Sequence, residues 1–140
     1  MVPTQTQMME ILTLRGVTFE ALSQEGTQAT ETAWLQTFAK GVKQATGHWI
    51  HDRFRWHGFT YKYEPCLSGE EARNAYHDQW AAPFVIFNED LTWAFRCSAE
   101  RLPDFSDLRA DIYVAHHNMK WTMVFTHEQP DIGPFFASNA

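Results

Sequence analysis

Two stretches in the C-terminal half share one pattern, and that pattern limits the fold more than any other feature of the chain. Phe84-Val85-Ile86-Phe87 is a short apolar run ended by Asn88-Glu89-Asp90, and Leu91 to Cys97 is a second run. Residues 111–126 repeat the design. Placing Trp93 over Trp121 aligns Val85-Ile86 with Tyr113-Val114, Asp90 with Asn118, Leu91 with Met119, Ser98 with Thr126 and Glu100 with Glu128. Each copy is an apolar strand, a polar turn holding Asp or Asn, a large apolar residue, and Trp two positions later. Short apolar runs broken by polar turns predict β-hairpins, and two copies are too few for a solenoid. Two explanations stand side by side: a repeated unit, or the narrow choice of turn chemistry open to any short hairpin.

The N-terminal half has a different period. Thr4 and Gln7 have capping-box spacing, and Met8, Ile11 and Leu12 follow at helical intervals before Gly16, which predicts a short helix. Val17 to Phe19 suits a brief strand, and the polar stretch Ser23 to Thr32 reads as a loop supplying the next cap. Trp34, Leu35, Phe38 and Val42 share one helical face that Gly47 closes. Residues 50–63 fit two patterns: Ile50, Phe54, His57 and Tyr61 at helical spacing, or Phe59, Tyr61 and Tyr63 alternating along a strand. Ser68 and Glu71 repeat the capping-box spacing, with Ala72, Ala75, Tyr76 and Trp80 on one face. Leu102 to Asp107 reads as a loop with room for one helical turn. The expectation is an α+β domain: about three helices packed on one face of a mostly antiparallel sheet of about four strands built from two hairpins. A chain of 140 residues predicts one core, a single domain over residues 1–140.

Charge and cysteine narrow the function. The net charge is −6, and the nearest basic pair, Arg53 and Arg55, adjoins Asp52. Nucleic-acid binding needs a basic face, so that class is not expected. Residues 81–140 hold eight acids and four bases, an excess that suits solubility or a basic partner. Cys66 and Cys97 do not make a disulfide scaffold. The N-terminus lacks a basic region followed by an apolar one. The longest apolar stretch, Trp80 to Phe87, carries a proline and falls short of a membrane span. A cytoplasmic protein is expected.

Strong catalytic motifs are missing: no phosphate loop, no nucleophile elbow, no paired Cys-x-x-Cys. His127-Glu128 opens like a zinc-protease helix, but Asp131 stands where the second His belongs and Pro130 breaks the helix. His48 and His51 are three apart, and His116 and His117, adjacent in the second turn, point opposite ways if extended. No ligand set is completed by spacing, so neither metal nor cofactor is expected. His57, His127 and Glu128 are the candidates for acid–base work, set against a structural role in which Asp52 or Glu128 holds a half-buried ring. Six Trp, four Tyr and eleven Phe are an unusual aromatic stock, and each ring carries about 150–250 Å² of area. Trp49, Trp56, Phe59, Phe135 and Phe136 lie in irregular, polar-rich segments. They are the candidate binding surface.

Several of these segments resemble one family. Trp56-His57-Gly58-Phe59, Cys66 to Arg73, Asp111 to Val114, Trp121 to Glu128 and Gly133-Pro134-Phe135-Phe136 are similar to the bacterial family called domain of unknown function 4275, over roughly residues 50–136. Its members carry a Trp-His-x-Phe element and a terminal Trp-Thr, Thr-His-Glu and Gly-Pro-Tyr-Phe element. This chain has Phe135 for the Tyr, and His116 to Met119 where the family tends to acidic and aromatic residues. The resemblance implies a compact bacterial cytosolic domain without an assigned activity. It also singles out Trp56, His57, Trp121, Thr126, His127, Glu128 and Gly133.

Two function classes follow. The first is a protein-binding domain, an immunity protein that neutralises a basic toxin encoded nearby, because interfaces draw on Trp, Tyr and Arg anchors and acidic rims steer basic partners. The second is a His/Glu-dependent hydrolase or nuclease-like enzyme, metal-assisted or not.

Overall fold

The computed structural model describes residues 2–139. Its centre is one antiparallel sheet of seven strands in the order β1-β4-β3-β5-β6-β7-β2. The strands are β1 Thr18–Ala21, β2 Leu67–Ser68, β3 Phe84–Asn88, β4 Ala94–Ser98, β5 Ile112–His116, β6 Trp121–Phe125 and β7 Phe135–Ser138. Five helices accompany them: α1 Gln5–Leu14, α2 Gln24–Phe38, α3 Lys40–Thr46, α4 His57–Thr60 and α5 Gly69–His77.

The expected architecture of about four strands and three helices is therefore overturned. The two hairpins are there, but they are only the middle of the sheet. The other three strands come from segments too short to show a period: four residues in the edge strand β1, two in the edge strand β2, and four in β7 directly after Gly133-Pro134. The helix count rose for a similar reason. The polar stretch after Ser23 is the solvent face of α2, with the Ser23 hydroxyl accepting from Gly26 N at 3.0 Å. The apolar face of Trp34, Phe38 and Val42 is split at Ala39 into α2 and α3. Residues 50–63 form neither a long helix nor a strand, only turns around the single-turn α4.

Helices cover both faces, not one. Along β3, β5 and β6 every residue is buried, and strands apolar on both sides need both sides covered. On one face Met8 and Leu12 of α1 and Ala72 and Tyr76 of α5 pack on Phe84, Ile86, Ile112, Val114, Met123 and Phe125. On the other, Trp34 and Phe38 of α2, Val42 of α3 and Phe59 of α4 meet Phe87, Tyr113, Val124 and Phe135.

The sequence likeness of the hairpins extends to their geometry. Phe84 pairs with Cys97 and Phe87 with Ala94; twenty-eight positions on in each case, Ile112 pairs with Phe125 and Ala115 with Thr122. Leu91 and Met119 are both left-handed, at φ 55° and 58°. Each donates its backbone N–H three residues back, to the carbonyls of Asn88 and His116. Ile86 and Val114, aligned by sequence, also face one another across β3 and β5. A local two-fold axis thus passes through that pair. His116 and His117 do not diverge as extended neighbours would: His117 lies in the turn, and the rings sit 4.4 Å apart.

Caps and indole donors close the ends. Thr4 and Gln7 form the expected reciprocal capping box. Ser68 occupies the cap position of α5 without a side-chain bond, and the helix stops at His77. Trp80 therefore leaves the predicted face and stands 90% exposed. Trp34 Nε1 donates to Thr122 Oγ1 and Trp93 Nε1 to the Pro3 carbonyl, both at 2.9 Å, so two buried indoles are satisfied. No helix among the described residues is long and apolar enough to cross a membrane.

Candidate functional site

Three irregular segments converge beside the first residues of β5: the turns before α4, the residue Asp111, and the loop from Thr126 to Pro134. Asp52 and Arg53 have consecutive positive φ angles, 52° and 86°, which turn the chain so that Arg55 and Trp56 enter the core. Gly41 makes room for the segment after α4, since a Cβ there would lie 2.2 Å from the Tyr63 carbonyl oxygen. Gly133 does the same for the last loop: its φ is +87° and a Cβ would press on Thr126 at 3.0 Å.

Trp56 is fully buried and is the pivot. Phe54 stacks on it at 5.1 Å, His57 tilts against it at 4.3 Å, and Phe135 lies behind it at 6.3 Å. Its Nε1 donates to Asp111 Oδ1 at 3.0 Å. The same carboxylate accepts the His127 backbone N–H at 2.9 Å and holds Nδ1 of that ring at 2.9 and 3.0 Å. A carboxylate on Nδ1 fixes the proton there and leaves Nε2 as the outward acceptor. The His127 side chain is 41% exposed against 12% for Asp111, and Glu128 Oε2 lies 3.9 Å from Nε2. This is a carboxylate–imidazole pair open to solvent.

His57 sits on the same ring stack but is held differently. Its Nδ1 is buried without a hydrogen-bond partner. Burial lowers its pKa below the ordinary histidine value, and His51 pushes the same way against the carboxylates of Asp52, Glu128 and Asp111. Asp52 does not hold the His57 ring; its Oδ2 accepts from the Tyr61 hydroxyl at 2.7 Å.

On the inner side of the same turn is a closed ionic network. Arg55 is buried; its guanidinium bonds Glu31 of α2 and both the carboxylate and carbonyl of Glu89. Tyr113 donates to Glu89 and accepts from Trp56 N at 3.0 Å. Burial works against the charge on Arg55, but Glu89 and Glu31 outweigh it and hold the guanidinium above its ordinary pKa. Burial also raises the Glu89 carboxyl, a rise limited by Arg55 and Tyr113.

A family model described as Domain of unknown function (DUF4275) matches residues 6–136. The chain belongs to this family. No curated protein and no solved structure matches the chain. The family match begins well before residue 50 and takes in α1, β1 and the long helix α2.

The three acid–base candidates are thus gathered at one ring stack: His57 and His127 both lie against Phe54 and Trp56, and Glu128 adjoins His127. Among the described residues no group of three His, Cys, Asp or Glu could hold a metal ion. The five candidate binding rings are placed otherwise than an exposed surface requires. Trp56, Phe59, Phe135 and Phe136 are buried at 0%, 3%, 6% and 4% exposure, while Trp49 is half-buried under Lys43. Asp111 had no assigned role from sequence. The hairpin register carried the signal, because continuing the β5–β6 pairing past Ile112 and Phe125 sets Asp111 across from Thr126, next to His127. The Arg55 network left no such trace, since its members are remote in the chain.

Proposed function

We propose that this protein is a cytoplasmic binding module, an immunity-type protein that neutralises a basic toxin encoded nearby by direct contact. One observation carries the reading: Trp80. Four of the six tryptophans are buried and Trp49 is half-buried, yet Trp80 is 90% exposed beside Pro83. Exposed tryptophan is costly in water and is the side chain most enriched at interface hot spots. It borders a cleft lined by His116, Lys120, Trp121 and Asn139, which a partner's side chain can fill. The net charge of −6 favours encounter with a basic partner.

The test is co-expression with the product of the neighbouring gene, together with affinity measured on the purified pair. Rescue of growth and a tight complex are expected, with Trp80→Ala weakening it by roughly tenfold or more, the effect of a lost hot spot. A folded protein that neither rescues nor binds sinks the reading.

The Asp111–His127 pair favours a second reading, a histidine-dependent hydrolase in which His127 Nε2 takes a proton from a nucleophile or water. Substrate screening of the wild type against His127→Ala and Glu128→Gln at equal melting temperature decides it.

A further inference from the structure

The sheet ends at β1, which pairs with β4 and with no other strand. In a two-stranded antiparallel contact alternate residues direct their N–H and C=O away from the partner. The outer row of β1 makes no backbone bond among the described residues. An open row of this kind is a template for another extended chain. Alongside it runs a groove of about 550 Å³ lined by Thr6, Met9, Glu10, Thr13 and Leu14 of α1 and by Phe19 of β1. Leu14 is 87% exposed. Phe19 is edge-on to Phe95 of β4 at 5.6 Å, so the groove floor continues the packed face of the sheet.

We infer that this groove takes an extended segment of the protein partner, which adds to β1 as an eighth strand. The inference rests on the binding-module reading and gives it a mode of contact. Side-chain alternation then sends every second residue of the added strand to the Phe19 face, where it meets Met9 and Leu14. Main-chain bonds to the edge supply affinity and the groove supplies selection, as in other cases of strand addition between an edge strand and a helix. The one charged side chain of the groove is Glu10, so the segment that fits is apolar with a lysine or arginine beside that carboxylate.

A second copy of this chain fits less well. It would bring another molecule of charge −6 to the edge and set Glu20 of one β1 near that of the other.

The experiment uses the full chain and a phage-displayed library of random twelve-residue peptides. Peptides enriched in alternating apolar residues with Lys or Arg are expected, shifting the amide signals of β1 and α1. Leu14→Glu should weaken a selected peptide roughly tenfold or more, Glu10→Lys should turn the preference towards acidic peptides, and backbone N-methylation of the peptide should abolish binding. Absence of enrichment, shifts centred elsewhere, insensitivity to Leu14→Glu, or a dimer held through β1 would each overturn the inference. The two readings fail separately. If Leu14→Glu still neutralises the neighbouring gene product while Trp80→Ala does not, the groove is wrong and the binding module stands. If β1 captures peptides while the neighbouring product is neither bound nor neutralised, the immunity role falls and the groove remains.

Discussion

Two charged centres lie back to back across Trp56. Arg55 with Glu31 and Glu89 is closed: all its members are largely shielded and every strong donor has a carboxylate or carbonyl. Asp111 with His127 is open: the carboxylate is shielded, but the imidazole it holds keeps one nitrogen towards solvent. The two are built alike, a nitrogen donor held against a carboxylate. Burial separates their uses. In the closed centre desolvation makes each partner indispensable to the other, so it anchors α2, the turn before α4 and the end of β3 to one another. In the open centre water can replace one partner, so the pair is free to meet a substrate or another protein.

The sharpest way to break that contrast is Arg55→Met. Removing one partner of a buried pair leaves uncompensated charge, and a loss of about 3–5 kcal/mol in unfolding free energy is expected in chemical denaturation. Arg55→Met with Glu31→Gln and Glu89→Gln, which removes the charges but keeps an acceptor for the Tyr113 hydroxyl, should recover most of it; no recovery would mean that the network is not a mutual one. Asp111→Ala comes next. It strands the indole donor of the buried Trp56, at about 1–3 kcal/mol for an unsatisfied buried group. Asp111→Asn keeps an acceptor and should lose less. His127→Ala is expected to cost no more than about 1 kcal/mol, as for a single hydrogen bond of a half-exposed side chain. A loss equal to that of Asp111→Ala would make the open centre a scaffold like the closed one.

The smallest effect is in pH. The folded-state pKa of His57 lies below its unfolded value, so the unfolded chain takes up its proton first as pH falls. The stability from neutral His57 is complete above about pH 6.5, the free histidine value, and declines as pH drops through that window towards the folded pKa. The melting-temperature difference between wild type and His57→Asn should therefore favour the wild type more at pH 7.5 than at pH 5. A difference independent of pH would show that the ring contributes by packing alone.

How much of this was legible in the sequence depended on range. The hairpins could be read because apolar runs and turn residues are neighbours in the chain, and the Trp93/Trp121 alignment already carried their common register. The first helix was visible in Thr4 and Gln7. The edge strands were not, since Thr18–Ala21 and Leu67–Ser68 are strands only because β4 and β7 are there to pair with them. The rings of Trp56, Phe59, Phe135 and Phe136 looked available because their segments are irregular, yet irregular backbone can be as deeply packed as a strand. Arg55 stood out only as half of a basic pair beside Asp52 and Glu89 only as a turn residue, and the folded chain alone brings them together.

The sheet also dictates an order of assembly. Its four middle strands are joined through short turns and one modest loop, and closing a short loop costs little chain entropy. The two edge strands must reach across about half of the chain, Thr18 to Ser98 and Leu67 to Phe136, and contacts of that separation form late. The two-fold core of hairpins is therefore the natural nucleus, and β1 is among the last segments to join it. Late-joining edges are also the first to fray in the native state. The edge that meets an incoming strand is thus the one that the chain itself holds least firmly.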